Sequence, residues 1–218
     1  MARSSWSVGS LSAADASLKV LADAVLHGKT PEALEAVEGA LGNGHSIEDL
    51  VVNGILSAHL KFGEWYEKDR LGAVKAWEFC YFTTVKVLKV LDSRIPAPPD
   101  AAPSVFVGTV KGEGHVTMRD VITSLLKAKG LRVYSSKKGI TLEELKEPLA
   151  DRALKAVVLS CTESGTKPAL ETLIKGIRSA RPDIKVIAGG QFAGEAGADI
   201  VLSDPLRLYD TIMALNTR

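Results

Sequence analysis

Hydrophobic residues recur at helical spacing through the first 95 residues of the chain. Four segments carry apolar side chains three or four positions apart, which is the spacing of one helix face. These segments begin near Ser12, Thr30, Ser46 and Gly72, and the last of them ends near Leu91. Because the connections between the segments are short, the pattern predicts a four-helix bundle over residues 1–95.

Prolines interrupt the chain between residues 96 and 103. Pro96, Pro98, Pro99 and Pro103 are four of the nine prolines in the sequence. Such a run fits neither a helix interior nor a central strand, and it favours an extended backbone. The segment 96–103 is therefore predicted to be a linker between two domains.

Beyond the linker the hydrophobic residues form short continuous runs, each followed by a helical segment or by the chain end. The five runs are 105–107, 131–134, 156–159, 185–188 and 200–202. Near-continuous apolarity is typical of strands that are buried on both faces of a parallel sheet. The alternation predicts an α/β domain over residues 104–218, built on a flavodoxin-like (Rossmann-type) five-stranded parallel sheet.

The composition narrows the classes of partner. The chain has 218 residues, and its 27 basic and 26 acidic residues give a net charge of +1. General binders of nucleic acid or of membrane surfaces carry excess positive charge, so neither partner is expected. The sequence has no run of about 18 uncharged apolar residues, so no membrane helix is predicted. Cys80 and Cys161 are too few for a disulfide framework, which favours a cytoplasmic protein.

Three loops at the predicted carboxyl ends of strands carry glycine and small hydroxyl residues. They span residues 108–115, 160–166 and 189–191. In a flavodoxin-like sheet the first and third strands are neighbours, and ligands bind at their carboxyl ends. The loops lack the full glycine pattern of a dinucleotide site and the lysine of a P-loop. Ser160 stands where a phospho-receiver would carry aspartate, so these three kinds of site are disfavoured.

A histidine on the first of these loops is the strongest candidate for chemistry. A neutral imidazole is a good transition-metal ligand, and a carboxylate on its other ring nitrogen would fix the tautomer and raise the basicity of the ligand. Glu113 and His115 supply both groups, two residues apart. Because one histidine cannot hold a metal ion alone, the other ligands would have to come from a cofactor. The alternative is a solvated loop histidine.

Together these motifs resemble the cobalamin-binding corrinoid proteins of methyltransferase systems, which combine a helical cap with a methionine-synthase-like cobalamin-binding domain. That family has D-x-H-x-x-G after the first strand, serine with a hydroxyl or apolar residue two positions on after the third, and two glycines after the fourth. The corresponding segments here are EGHVTM at 113–118, SCT at 160–162 and GG at 189–190. The resemblance spans about residues 15–216.

The resemblance implies that His115 binds the cobalt ion of the corrinoid from its lower face, with Glu113 as the partner of His115. Tyr66, in the helical half, matches an aromatic residue that covers the upper face, although an aromatic residue there also suits a bundle core. The implied cofactor-binding residues are Glu113, Gly114, His115, Val116, Thr117, Met118, Ser160, Thr162, Ser164, Gly189, Gly190 and Tyr66.

The resemblance also implies a pocket for the nucleotide tail of the cofactor. Ser160, Thr162 and Ser164 would lie along this pocket, and Gly189 and Gly190 would let the tail pass close to the backbone. The hydroxyls could instead cap the following helix, and the glycines could form a plain turn.

Two departures from the family motif bear on the cofactor. Glu113 replaces aspartate, which keeps the charge but lengthens the side chain by one methylene. Met118 replaces glycine, which puts a large flexible side chain where backbone or cofactor usually comes close. A cofactor with a full nucleotide tail is therefore expected to need a shifted loop.

The function implied by the resemblance is that of a corrinoid (cobalamin) carrier, which accepts and donates a methyl group through cobalt. Its partners would be a substrate-specific methyltransferase, a second, methyl-accepting methyltransferase and a reductive activator. The chain would act as the corrinoid subunit of such a system rather than as a complete enzyme. Two alternatives stay open: a regulatory module that senses cobalamin or another tetrapyrrole, and an interaction protein that has lost the cofactor.

Overall fold

The computed structural model describes residues 16–136 and 138–215, and the chain divides into two compact units. The first unit is Met1–Arg94 and the second is Ile95–Arg218. Residues 96–103 contain neither helix nor strand. Ser12, the predicted cap of the first helix, lies outside the described residues. Within the described ranges no helix combines the length and the hydrophobicity that a transmembrane span requires.

The first unit is built from helices. They are α1 (Ala16–Leu26), α2 (Thr30–Gly42), α3 (residues 47–68) and α4 (Arg70–Asp92). Helix α3 is continuous but mixed, with α-helical ends at Ile47–Asp49 and Ser57–Lys68 around a π-helical segment at Leu50–Leu56. The fully buried core side chains include Leu21, Val25, Val37, Leu50, Ile55 and Leu91.

Local hydrogen bonds explain where two of these helices begin. At the start of α3, the Asp49 N–H donates to Ser46 Oγ at 3.0 Å and the Ser46 N–H donates to Asp49 Oδ2 at 3.1 Å, which completes a capping box. At the start of α4, the Gly72 N–H donates to Asp69 Oδ1 at 3.0 Å. This cap lets α4 begin at Arg70, two residues before the start that hydrophobic spacing predicts.

The second unit contains the predicted five-stranded parallel sheet. The strands are β1 (Ser104–Thr109), β2 (Arg132–Ser135), β3 (Leu154–Ser160), β4 (Lys185–Gly189) and β5 (Ile200–Val201). Their order across the sheet is β2-β1-β3-β4-β5, and all four pairings are parallel. The expected fold, a helical region followed by a flavodoxin-like α/β region, is confirmed.

Helices cover both faces of the sheet and leave the carboxyl ends of the strands to the loops. The helices are α5 (Thr117–Ala128), α6 (Lys146–Ala150), α7 (Lys167–Ala180) and α8 (Leu208–Met213). One apolar layer contains residues of β1, α5 and α8, and the other contains residues of β3 and α7. At the carboxyl ends, Thr109 pairs in register with Ser160, and Ser160 pairs with Gly189. The three loops singled out from the sequence therefore begin side by side at this edge of the sheet.

Candidate functional site

The loop after β1 turns back on itself and meets the loop after β3. Gly112 has a φ of +90°, a left-handed conformation that glycine adopts at low cost. The Glu113 N–H donates to the Val110 carbonyl at 3.1 Å and closes the turn. Because β1 and β3 are neighbours in the sheet, this turn brings the Glu113 side chain to the backbone of Thr162.

The Glu113 carboxylate joins the two loops through four hydrogen bonds. Its Oε1 accepts from the backbone N–H and from Nδ1 of His115, both at 2.9 Å. Its Oε2 accepts from the N–H of Thr162 at 2.6 Å and from the N–H of Glu163 at 3.1 Å. An ionised carboxylate has about four lone-pair sites, so these four donors occupy its full capacity. The side chain is 0% exposed, which makes Glu113 a structural anchor for the loop rather than a group free to bind a ligand.

The protonation of Glu113 fixes the tautomer of His115. Burial acts to raise the pKa of Glu113, but hydrogen bonds from the backbone of Thr162, His115 and Glu163, and from the His115 ring, outweigh burial and lower that pKa. An ionised carboxylate only accepts hydrogen bonds, so in the neutral ring of His115 the proton is on Nδ1 and the lone pair is on Nε2. The polar contacts of the His115 ring with Glu113 and Glu163 are made through Nδ1.

Glu163 is a member of this cluster that the motif did not indicate. Its Oε1 lies 3.3 Å from Nδ1 of His115 and accepts the Gly114 N–H at 3.0 Å. The position follows from the sheet order, which places the acidic residue of the loop after β3 beside the loop after β1. An acidic residue in a loop of otherwise small residues was the available signal, and only the loop conformations show that it reaches His115.

The two carboxylates of the cluster are arranged to fix Nδ1 of His115 rather than to bind a free metal ion. Ligand atoms of Glu113, His115 and Glu163 all lie within 4.8 Å of one another. The Glu113 oxygens, however, are already occupied by hydrogen-bond donors, and Nδ1 points at the carboxylates. With its side chain 58% exposed, His115 offers a single outward ligand atom, Nε2. A metal bound there would need its remaining ligands from a cofactor.

The three hydroxyl residues predicted to line the tail pocket occupy different environments. Ser160 is half-buried at the end of β3, between Thr109 and Gly189 on the neighbouring strands. Thr162 is half-buried, and its backbone N–H is committed to Glu113. Ser164 is exposed and begins a short 3-10 turn. The structure brings Ser160 and Thr162 next to the Glu113 loop and leaves Ser164 on the surface.

The start of α5 carries buried polar atoms for which the described residues supply no hydrogen-bond partner. At the helix start these atoms are Thr117 Oγ1 and Arg119 Nη1; Thr109 Oγ1 at the end of β1 and Thr123 Oγ1 in the middle of α5 are in the same condition. Arg119 is only 4% exposed, and its Nε and Nη2 contact Asp120. Buried polar groups are nearly always hydrogen-bonded, so orphaned atoms beside a candidate site fit a polar ligand.

The rest of the predicted loop segment leads directly into α5. Gly114 is exposed, and its carbonyl accepts the Val116 N–H at 3.0 Å. Val116 precedes the first residue of α5, and Met118 is half-buried within the first turn of this helix. The Met118 side chain therefore lies in the first turn of α5, directly after the loop that carries Glu113 and His115.

Gly189, the last residue of β4, and Gly190 after it both pack against backbone of their own unit. A Cβ at Gly190 would lie 2.4 Å from the carbonyl oxygen of Cys161, and its φ is +100°. A Cβ at Gly189 would lie 3.2 Å from the carbonyl oxygen of Leu202. Close packing of the chain is thus sufficient reason for glycine at Gly190, independent of any ligand.

Tyr66 lies in the first unit, on α3. Its side chain is 39% exposed, and the guanidinium carbon of Arg70 lies 5.5 Å from the centre of its ring. Nearby on α3, the ring of Phe62 packs against the rings of Trp65 and of Trp77, which is on α4. Tyr66 is thus a surface aromatic residue beside an aromatic cluster.

Comparison with curated proteins finds similarity over most of the chain. The dimethylamine corrinoid protein of Methanosarcina barkeri is 26% identical over 192 residues, which cover 86% of this chain and 89% of that protein. Dimethylamine corrinoid protein 1 of Methanosarcina mazei is 26% identical over 193 residues, which cover 86% and 88%. No protein-family model matches the chain. The resemblance to corrinoid proteins of methyltransferase systems is confirmed.

Solved structures share the fold. The monomethylamine corrinoid protein of Methanosarcina barkeri superposes with a TM-score of 0.65 at 18% identity, over 88% of this chain and 94% of that chain. A chain of the methanol:cobalamin methyltransferase complex from the same organism gives 0.52 at 16% identity, over 93% and 81%. A cobalamin-binding protein from Desulfitobacterium hafniense gives 0.51 at 16% identity, over 90% and 95%. At these identities the structures establish the common fold.

Proposed function

We propose that this protein is a corrinoid carrier that accepts and donates a methyl group between partner methyltransferases. The observation that carries the proposal is the setting of His115, whose Nδ1 is held by a buried carboxylate while 58% of its side chain is exposed, which leaves Nε2 available to bind a metal. Such an imidazole would supply one fixed ligand to a metal that brings its other ligands with it. The similarity to corrinoid proteins over 86% of the chain supports cobalamin as that cofactor.

In this proposal each residue of the site has a task toward the cofactor. A bound corrinoid supplies a cobalt ion that takes up and releases a methyl group. His115 would bind cobalt through Nε2, and Glu113 would hold the ring and keep Nδ1 protonated. These two residues therefore set the orientation and the donor strength of the ligand, while partner enzymes supply the reactants.

The nucleotide tail of the cofactor would lie along the carboxyl ends of β1, β3 and β4. Ser160 and Thr162 border this region, and the orphaned polar atoms of Thr109, Thr117 and Arg119 give a polar tail buried groups to bind. Gly189, Gly190, Ser164, Gly114 and Val116 complete the proposed contact set, with Tyr66 for the upper face of the corrinoid. Met118, half-buried in the first turn of α5, would have to move aside for the tail.

The partners and the setting follow from the carrier role. We propose that the chain acts in one-carbon metabolism. Its partners would be a substrate-specific methyltransferase, a second, methyl-accepting methyltransferase and a reductive activator. Because the curated relatives are dimethylamine corrinoid proteins, methylated amines stand first among the donors to test. Both cysteines are buried free thiols, which suits a reducing, cytoplasmic setting.

Reconstitution with hydroxocobalamin tests the proposal. We expect the purified full chain to retain about one equivalent of corrinoid through gel filtration, with an absorbance spectrum that differs from that of the free cofactor. His115→Ala should lower the affinity about tenfold or more and restore the free-cofactor spectrum, since the axial ligand is removed. His27→Ala, at an exposed histidine of the first unit, is the matched control and should behave like wild type.

Failure to bind would be decisive. A folded wild-type chain that elutes free of corrinoid at micromolar protein and excess hydroxocobalamin contradicts the carrier role. Retention of corrinoid with an unchanged spectrum in His115→Ala would mean that the cofactor binds without the histidine.

A further inference from the structure

The strongest feature outside the family motif is a second carboxylate near Nδ1 of His115, that of Glu163. Nδ1 lies 2.9 Å from Glu113 Oε1 and 3.3 Å from Glu163 Oε1. The two acids come from different loops and have different exposure, 0% for the Glu113 side chain and 44% for that of Glu163. One imidazole N–H therefore faces two negatively charged acceptors.

The position of Glu163 is held by contacts independent of the histidine ring. Its backbone N–H donates to Glu113 Oε2 at 3.1 Å, and its carboxylate accepts the Gly114 N–H at 3.0 Å. A Cβ at Gly114 would lie 3.1 Å from Glu163 Oε1, so glycine leaves room for the carboxylate. The two loops are thus joined by Glu163, which is hydrogen-bonded to both Glu113 and Gly114.

We infer that Glu163 is a positioning residue that, together with Glu113, strengthens electron donation from Nε2 of His115 to a bound metal. A carboxylate that accepts the Nδ1 proton makes the opposite ring nitrogen more basic, and a second carboxylate adds to that effect. Because Glu163 is partly exposed, solvent screens its charge more than that of Glu113, so its contribution should be the smaller one. The contact between Glu163 and His115 does not depend on the proposed corrinoid function. The effect on a bound metal does rest on that function.

The test in the protein without cofactor measures the nucleophilicity of Nε2. Diethyl pyrocarbonate acylates neutral imidazole, and mass spectrometry of peptides follows the rate at His115 with His27 as an internal reference. At a fixed pH near 8.5, we expect Glu163→Gln to slow the reaction of His115 about threefold relative to His27. Glutamine keeps an acceptor for the Gly114 N–H and removes the charge, which separates electrostatics from loop structure. Glu171→Gln, in α7, is the matched control and should react like wild type.

The test in the loaded protein measures the reduction potential of the corrinoid. A stronger axial donor favours the oxidised, histidine-bound cobalt, so Glu163→Gln should raise the Co(II)/Co(I) midpoint. A tenfold change in the equilibrium corresponds to about 59 mV for this one-electron couple, and we expect a shift up to that size. Gly114→Ala, which crowds the carboxylate without removing it, should shift the midpoint in the same direction.

The outcomes separate the inference from the proposed function. An unchanged acylation rate at His115 in Glu163→Gln overturns the inference, whatever the loaded protein does. A slowed rate in a chain that binds no corrinoid supports the role of Glu163 on the imidazole and contradicts the carrier function. A slowed rate with an unchanged midpoint overturns the claim that the effect reaches the metal.

Discussion

Glu113 contacts its own loop and the loop after β3 through a carboxylate that is saturated with hydrogen bonds. The sequence predicted the pairing of an acid with His115, because the two residues are two positions apart. It could not predict the contacts to Thr162 and Glu163, because these depend on how two separate loops fold against each other. The same limit explains why Glu163 itself was missed while the acid in the motif was found.

Gly190 was predicted as a residue along the path of the nucleotide tail, and the structure gives it a packing role as well. Gly190→Ala should lower the free energy of unfolding by about 2 kcal/mol or more, since φ is +100° and Cβ would lie 2.4 Å from the Cys161 carbonyl oxygen. Gly165→Ala has open space and should change it by less than about 0.5 kcal/mol. Urea unfolding of the two variants measures the difference, and equal stability would contradict the packing role.

At the scale of elements, the agreement between sequence and structure follows the strength of the local signals. The proline after Thr30, the capping residue Ser46 and the five apolar runs all mark observed elements. The π-helical segment Leu50–Leu56 was not predicted, because it changes the hydrogen-bond ladder without breaking the apolar pattern. The continuation of α3 to Lys68 was also not predicted, since its last turns are largely polar and gain their support from packing.

The contact between α3 and α4 includes a histidine held in its neutral form. His59 Nε2 lies 2.9 Å from Thr84 Oγ1, and the Thr84 hydroxyl donates to the Cys80 carbonyl at 2.9 Å. The hydroxyl thereby accepts from the ring, so Nε2 carries a proton. Desolvation by burial lowers the pKa of His59 from 6.5 to about 4.

This lowered pKa makes the stability of the chain depend on pH in a defined direction. The unfolded chain takes up a proton at His59 near pH 6.5 and the folded chain only near pH 4, so stability is lost as the pH falls between these values. The full shift corresponds to roughly 3 kcal/mol, and because His59 as a residue is only half-buried we expect a loss of roughly 2 kcal/mol. In His59→Gln this part of the loss should disappear, as measured by urea unfolding from pH 7 to pH 4.5. An identical pH dependence in the variant and the wild type would contradict the assignment.

At the scale of the whole molecule, the chain divides into two compact units, one helical and one built on a parallel sheet. The sequence predicts a division at the prolines of 96–103, because a change of hydrophobic period coincides with them. The identity of the cofactor could not come from periodicity. It came from a set of short motifs that acquire meaning only where the sheet order places them side by side.

The most direct test of the account is the electron paramagnetic resonance spectrum of the chain loaded with corrinoid and reduced to Co(II). If Nε2 of His115 binds the metal, the cobalt lines should show a triplet nitrogen splitting that becomes a doublet when the protein is made with ¹⁵N-histidine. In His115→Ala the histidine-derived splitting should be lost, so that any remaining triplet comes from the cofactor tail and does not change with ¹⁵N-histidine. A triplet that persists in the ¹⁵N-histidine protein would show that the axial nitrogen comes from the cofactor tail, and it would contradict the role assigned here to His115.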